Sequence, residues 1–436
     1  MHPRLELGNV AVDDFETYKH HPALLQSTSV LPLDVDAEVE TFEVMSALEA
    51  EAEARSDAGK LLLLFDDTLA VTYHGSQVMT RWLNDCTNGS GDGGCLSFRC
   101  PVVSMVLASS DATVSHVILS LAATTAASHC AVIVLRIASN GLPQVIHETW
   151  MTGKRLFLCA AGEGSDGKVV NVLAYRIVRS TNSLASHASS HVEVVAAQMD
   201  LGELSLSPEA KILWTAHGPH PPQAAHWGNE ELCLVSRGGF ELDGSEASNS
   251  LLLETEDPVL TVWKQNSLEC WPLPRGELLS SWASKDGIHV VLADPTSAAN
   301  LAVLRPSTTP LCVVASLPGA AACATARRLR DFVVAPNHAF FALLDMDQQN
   351  VSIFRTPQGD LVSPMATLPP DHGAVHAMVA TAGAVVVRTR TSIVKCTLNL
   401  SSRLESVKRR LISPEQMPLG MDPKALLKML DARGED

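Results

Sequence analysis

A chain of 436 residues has room for two or three ordinary domains or for one closed all-β domain, so periodicity rather than length decides its organisation. With 46% hydrophobic and only 18% charged residues it carries enough apolar matter for a large core and lacks the composition of a disordered protein. A formal net charge of -16 excludes a broad nucleic-acid surface, for which only residues 403–410 (RLESVKRR) offer a local basic run.

The opening MHPRLELGNV has no basic region followed by an apolar core, and no stretch approaches eighteen uninterrupted apolar residues. The expectation is a soluble, non-secreted protein of the cytoplasm, the nucleus or both, with no membrane partner. The ten cysteines are scattered, several inside apolar runs such as Cys233 in ELCLV and Cys312 in LCVVA, the usage of small buried hydrophobes in a reducing compartment.

In chain order, residues 1–29 show little periodicity and read as an arm anchored by Phe15 and Tyr18. Residues 30–35 and 39–44 alternate as strands. At 46–55, SALEAEAEAR has capping-box spacing and predicts a short acidic surface helix or a loop. Strand-length runs resume at 60, with LLLLF, LAVTYH and QVMTRW each closed by a turn, then a Gly-rich loop at 84–94. Further runs fall at 102–107, 114–119, 131–137, 144–150, 155–160 and 168–178. A Ser- and His-rich loop (181–191) is followed by strands at 192–197, 211–216 and 231–236.

A polar, acidic stretch at 238–257 reads as a linker or insertion point. Beyond it come strands at 259–263, 268–271, 278–282, 288–293, 301–304 and 311–315. The segment DFVVAPNHAFFALLDMDQQNVSIFRTPQGD (331–360) is a complete meander of three short strands and turns. Strands at 375–380, 384–388 and 392–398 close the series.

Strands without crossover helices exclude a parallel α/β fold. About twenty-seven strand candidates predict an all-β fold, a single β-propeller of about seven four-stranded blades over 30–400, WD40-like but degenerate because no GH or WD signature recurs. Closure predicts that a strand near 30–45 joins the sheet containing 375–398. In the tail (401–436), Asp422 and Pro423 make an N-cap and first-turn pair, predicting a helix over 422–433 whose Leu426, Leu427 and Leu430 share a stripe suited to a partner's groove.

Three collinear segments carry a family resemblance. RDFVVAPNHAFFALLDMDQQNVSIFRTP, with its A-P-N turn at Pro336 and Asn337, VLADPTSAANLAVLR, with Asp294 and Pro295, and DDFETYKHHPALLQSTSVLPLDVDAEV, with Phe15, Tyr18 and Lys19, are similar to the propeller-bearing members of the NudC family. The resemblance implies a non-enzymatic propeller adaptor, co-chaperone-like or helicase-associated, with a DEAH-box RNA helicase or chaperone machinery as partner. In that family a CS domain is inserted between propeller blades, whereas the matching place here, about 243–256, holds only a short acidic loop, too short for such a domain.

Other constellations read as structural. Gly162, Gly164 and Gly167 spell GxGxxG but lie between two strands and open no helix, so they predict a hairpin turn. His217, His220 and His226 match no common zinc spacing, and Cys86, Cys95 and Cys100 contain no CxxC pair. DMDQQN at 345–350 lacks the glycine and distal glutamate of a calcium loop. No metal, cofactor or catalytic residue is expected. Of the seven tryptophans, Trp227 in the Pro- and His-rich loop is the predicted exposed anchor. The leading functional expectation is a binding adaptor; a structural propeller subunit of a large assembly is the alternative, and a propeller hydrolase with an axial site a third.

Overall fold

Short runs of Val, Ile, Leu and Ala broken by turn formers offer no sustained 3.6-residue period, and the chain folds accordingly into strands. A computed structural model describes residues 25–32, 48–50, 52, 61–83, 92–123, 129–163, 169–179, 190–200, 210–227, 231–242, 257–264, 267–273, 277–284, 287–293, 299–304, 312–317, 332–335, 340–345, 350–355, 360–367 and 375–398.

The described strands are β1 (Leu25–Pro32), β2 (Leu61–Leu64), β3 (Leu69–His74), β4 (Gln77–Trp82), β5 (Asp92–Ser97), β6 (Val102–Ser110), β7 (Val114–Leu121), β8 (His129–Ala138), β9 (Pro143–Thr152), β10 (Phe157–Glu163), β11 (Val169–Arg179), β12 (Ser190–Asp200), β13 (Lys211–Gly218), β14 (Ala224–Trp227) and β15 (Glu231–Arg237). They continue with β16 (Glu241–Leu242), β17 (Pro258–Lys264), β18 (Ser267–Pro272), β19 (Glu277–Ser284), β20 (Gly287–Ala293), β21 (Ala299–Leu304), β22 (Cys312–Leu317), β23 (Phe332–Val334), β24 (Phe340–Asp345), β25 (Asn350–Arg355), β26 (Asp360–Thr367), β27 (Val375–Ala380), β28 (Ala384–Thr389) and β29 (Ser392–Leu398).

Every pairing among them is antiparallel. The strands make seven sheets, in the orders β2-β3-β4-β5, β6-β7-β8-β9, β10-β11-β12-β13-β16, β14-β15-β17-β18, β19-β20-β21-β22, β23-β24-β25-β26 and β1-β29-β28-β27. Their first strands are neighbours in a closed cycle, β2 beside β6, then β10, β14, β19, β23, β27 and back to β2. A ring of antiparallel meanders whose first strands surround a common axis is a β-propeller.

Neighbouring sheets are glued face to face by apolar side chains. Leu64, Val71 and Tyr73 of the first sheet pack with Val117, Leu119 and Ile133 of the second. Ile118 and Val134 meet Val170 and Val172 of the third, and Tyr175 and Val194 meet Leu232 and Leu234 of the fourth. Cys233 and Val262 face Ile288 and Val290 of the fifth, while Phe340 and Val351 of the sixth pack with Val385 and Val394 of the last. Each fully buried Val or Leu contributes about 1.5–3 kcal/mol. Burial on both faces explains why a middle strand such as β28 (AVVVRT) is buried along its whole length instead of alternating.

The ring closes between its ends. β1 pairs with β29 from Leu25 opposite Leu398 to Pro32 opposite Ser392, so the closing strand begins inside the residues read from sequence as an anchored arm. Across the same junction Arg388 of β28, only 1% exposed, donates through Nε to Thr72 Oγ1 of β3 at 3.0 Å. Lys395 Nζ donates to the Leu83 carbonyl at 3.4 Å, again joining last sheet to first.

The fold expectation of about seven four-stranded blades with a short C-terminal helix is corrected in two respects. The third sheet has five strands, because Glu241 and Leu242 pair with His217 and Ala216 of β13. They are drawn there by Phe240, which is 3% exposed against Gly218, so the first part of the supposed linker is sheet and core. Helix is almost absent: among the described residues it is confined to 48–50 and 52. That short helix is not a purely solvated one, since Ala52 is fully buried and its carbonyl lies 3.5 Å from the Tyr175 hydroxyl that donates to it. The predicted strand at 39–44 and helix at 422–433 lie outside the described residues, as do Phe15, Tyr18, Lys19, Asp294, Pro295, Pro336, Asn337, Leu426, Leu427 and Leu430.

If the clasp across the closure stabilises the ring, Thr72→Val, which keeps the side-chain volume but removes that acceptor from Arg388, lowers unfolding free energy by about 1–3 kcal/mol. Urea denaturation followed by tryptophan fluorescence measures it; an unchanged midpoint contradicts the clasp.

Candidate protein-interaction surface

Trp227 ends β14, a first strand of its sheet, and is half-buried in the cluster that joins the third and fourth sheets. A Cβ placed on Gly162 of β10 would lie 3.5 Å from the Trp227 Cβ, so the two first strands approach closely there. The expectation that Trp227 is an exposed anchor is therefore corrected: strand β14 turns it into the seam between sheets. Trp214 and Trp263 are similarly engaged, their ring centroids 5.5 Å apart in the same cluster.

Among the described residues, the exposed large apolar side chains lie instead on or just before the last strands β9 and β18, and on β13, the fourth of five strands in its sheet. On β9 and the turn before it, Leu142 is 55% exposed and Val145, Ile146 and Trp150 are also exposed; on β13 Ile212 is 50% exposed, and on β18 Trp271 is 45% exposed. Strand β9 has its inner partner β8 and, among the described residues, no strand on its outer side. The strands are near one another at one end, where the Ala210 N–H donates to the Trp150 carbonyl at 3.4 Å and places the start of β13 beside the end of β9. Pro143 at the head of β9 and a bulge opposite Val134 and Leu135 interrupt the ladder. Sequence alternation alone placed 144–150 on a strand, but which strands end a sheet is a property of the topology.

The residues read as chemical candidates have other settings. Gly162 and Glu163 belong to β10, which pairs antiparallel with β11 up to Glu163 opposite Val170, an arrangement that opens no helix for a phosphate. Asp345 faces Asn350 at the end of the β24–β25 hairpin. His217 meets His191 edge to face, with centroids 5.0 Å apart, while His226 lies on β14. Among the described residues no three His, Cys, Asp or Glu side chains are grouped as metal ligands. Cys130 is buried and its thiol donates to the Gly153 carbonyl at 2.8 Å; burial pushes its pKa up to about 11, which keeps it an unreactive thiol.

No family model matches the sequence, and no curated protein matches it either. Solved structures do align. The β-propeller domain of Myceliophteria thermophila Cps50 (Swd1) does so with a TM-score of 0.48 and 8% identity, over 78% of this chain and 96% of that one. The hydrazine synthase of Kuenenia stuttgartiensis aligns with a TM-score of 0.35 and 10% identity over 73% and 99% of the two chains. A puromycin-hydrolyzing peptidase of Mycobacterium tuberculosis gives 0.39 and 11% over 79% and 53%. At such distances these likenesses say nothing of activity, and the propeller assignment rests on the closed cycle of first strands.

Two measurements follow from the titratable groups. Burial holds the His226 imidazole below its ordinary pKa of 6.5. As pH falls through 6.5 the unfolded chain takes up this proton before the folded one, so His226 withdraws stability from there down to its own lowered pKa. His226→Gln should make the fall in melting temperature over that window shallower; an identical pH profile contradicts the assignment. In a brief iodoacetamide treatment of folded protein, exposed Cys95 is alkylated while Cys130 is protected, as peptide mapping will show; equal labelling contradicts the burial of Cys130.

Proposed function

We propose that this protein is a non-enzymatic adaptor that binds other proteins through the rim of its propeller, in the manner of the propeller-bearing NudC family that its sequence resembles. The observation that supports this reading is the exposure of Trp150 and Trp271 on the last strands β9 and β18, together with Val145 and Ile146 on β9, Leu142 just before it and Ile212 on β13. Tryptophan is the residue most often found at the energetic centre of protein interfaces, and clustered apolar exposure at a rim marks such sites.

In the chain, the acidic stretch after residue 242 connects β16 of the third sheet to β17 of the fourth. The resemblance gives this point of the sequence as the place where the family carries its CS domain. A DEAH-box helicase or chaperone machinery is the partner class that the resemblance supplies, and a cytoplasmic or nuclear location goes with it.

Affinity purification of tagged full-length protein from native extract tests the reading. It should recover a stoichiometric protein partner, and Trp150→Ala combined with Trp271→Ala should reduce that recovery at least about tenfold, as loss of interface hot spots does. Recovery of no partner by the wild-type chain contradicts it.

A further inference from the structure

The apolar set around β9 is bordered by charge of one prevailing sign. Arg136 of β8 is exposed and stands opposite Gln144 of β9. Lys154 and Arg155, both exposed, follow directly after the end of β9. Lys211 is exposed beside Ile212, one residue from the Ala210 that donates to Trp150. Among the described residues, the exposed carboxylates in the same region are Glu148 on β9 and Asp200 at the end of β12. Among the described residues, these exposed cations outnumber the exposed carboxylates and make a locally basic border on a chain whose formal net charge is -16.

Arg176 of β11 donates to the Thr152 carbonyl and to the Glu193 carboxylate, tying the end of β9 to the third sheet. That linkage fixes the frame on which Arg136, Lys154, Arg155 and Lys211 stand exposed. An apolar centre within a polar, charged rim has the anatomy of a protein-binding patch, and complementary charge sets which partner is attracted.

We infer that the face built by β9 and the start of β13 binds an acidic segment of a partner protein, one that carries apolar anchors between its Asp and Glu residues. The inference rests on the adaptor reading and names the surface and the chemistry of its partner. Pro143 and the bulge within β9 interrupt the outer edge, so docking proceeds through side chains across the face, not by adding a regular strand. The apolar anchors cover Ile146, Trp150 and Ile212, and the carboxylates meet the surrounding cations. A second copy of this chain is disfavoured as the occupant by the like charge of two molecules at -16 each.

The test uses the full-length protein as bait for a displayed library of random twelve-residue peptides, followed by fluorescence anisotropy with the selected peptides. The expected result is enrichment of sequences that combine Asp or Glu with Leu, Ile, Phe or Trp. Their affinity should fall at least about tenfold with Trp150→Ala and again with Arg136→Glu plus Lys211→Glu, and should weaken as salt is raised. The variants are exposed and are checked for an unchanged melting temperature. Selection of neutral or basic peptides, binding indifferent to these variants, no enrichment at all, or concentration-dependent dimerisation lost with Trp150→Ala each overturns the inference. A native partner that is lost with Trp271→Ala but retained with Trp150→Ala overturns it while leaving the adaptor reading intact, whereas absence of any native partner removes both.

Discussion

The pairing of β1 with β29 is the constraint on which the rest of the molecule depends, because it converts a row of meanders into a ring. Without it the last sheet loses an outer strand and the first and last sheets keep only side-chain contacts to hold them together. Those contacts are themselves non-local: the Arg388–Thr72 hydrogen bond spans 316 residues and forms only when both ends of the chain have arrived. Loop-closure entropy for such contacts is met once, and the facing sheets then bury apolar side chains all round the ring. Arg388 is a telling member of this junction, a buried guanidinium whose Nε is bonded to Thr72 across the closure.

Closure also decides what is left for binding. Strands next to the axis and in the middle of each sheet are covered on both faces, as the uninterrupted burial of β28 shows. Last strands combine a regular backbone with solvent on one side, as at Trp150 and Trp271, and β13, paired with β16 at Ala216 and His217, exposes Ile212 near its other end. The rigid ring thus holds apolar and basic side chains in fixed relative positions at the rim. Holding them so reduces the ordering cost of recognising a flexible partner segment.

Strand identity was legible because short apolar runs between Gly, Asn, Asp and Pro turns admit little else, and the propeller class followed from their number and the lack of crossover helices. Strand order was less so. Glu241 and Leu242 look like part of an acidic linker, and only the burial of Phe240 beside Gly218 reveals why they join β13. Ala52 sits in a Glu-rich run that reads as solvated, yet its neighbour in space, Tyr175, is 123 residues away. The same limit governs the rim. Trp227 lies among prolines and histidines and looks exposed, whereas Trp150 lies in an ordinary strand; their opposite fates follow from β14 being a first strand and β9 a last one.

The most direct test of the account is a cross-link across the closure. Thr28 lies directly opposite Cys396 in the β1–β29 register, so Thr28→Cys introduces a thiol facing a native one. Mild oxidation followed by peptide mapping should find the new thiol joined to Cys396 within the same chain, in a product whose melting temperature is not lowered. If the new thiol stays reduced, or joins another cysteine or another molecule, the chain ends do not meet in this register and the closed ring is wrong.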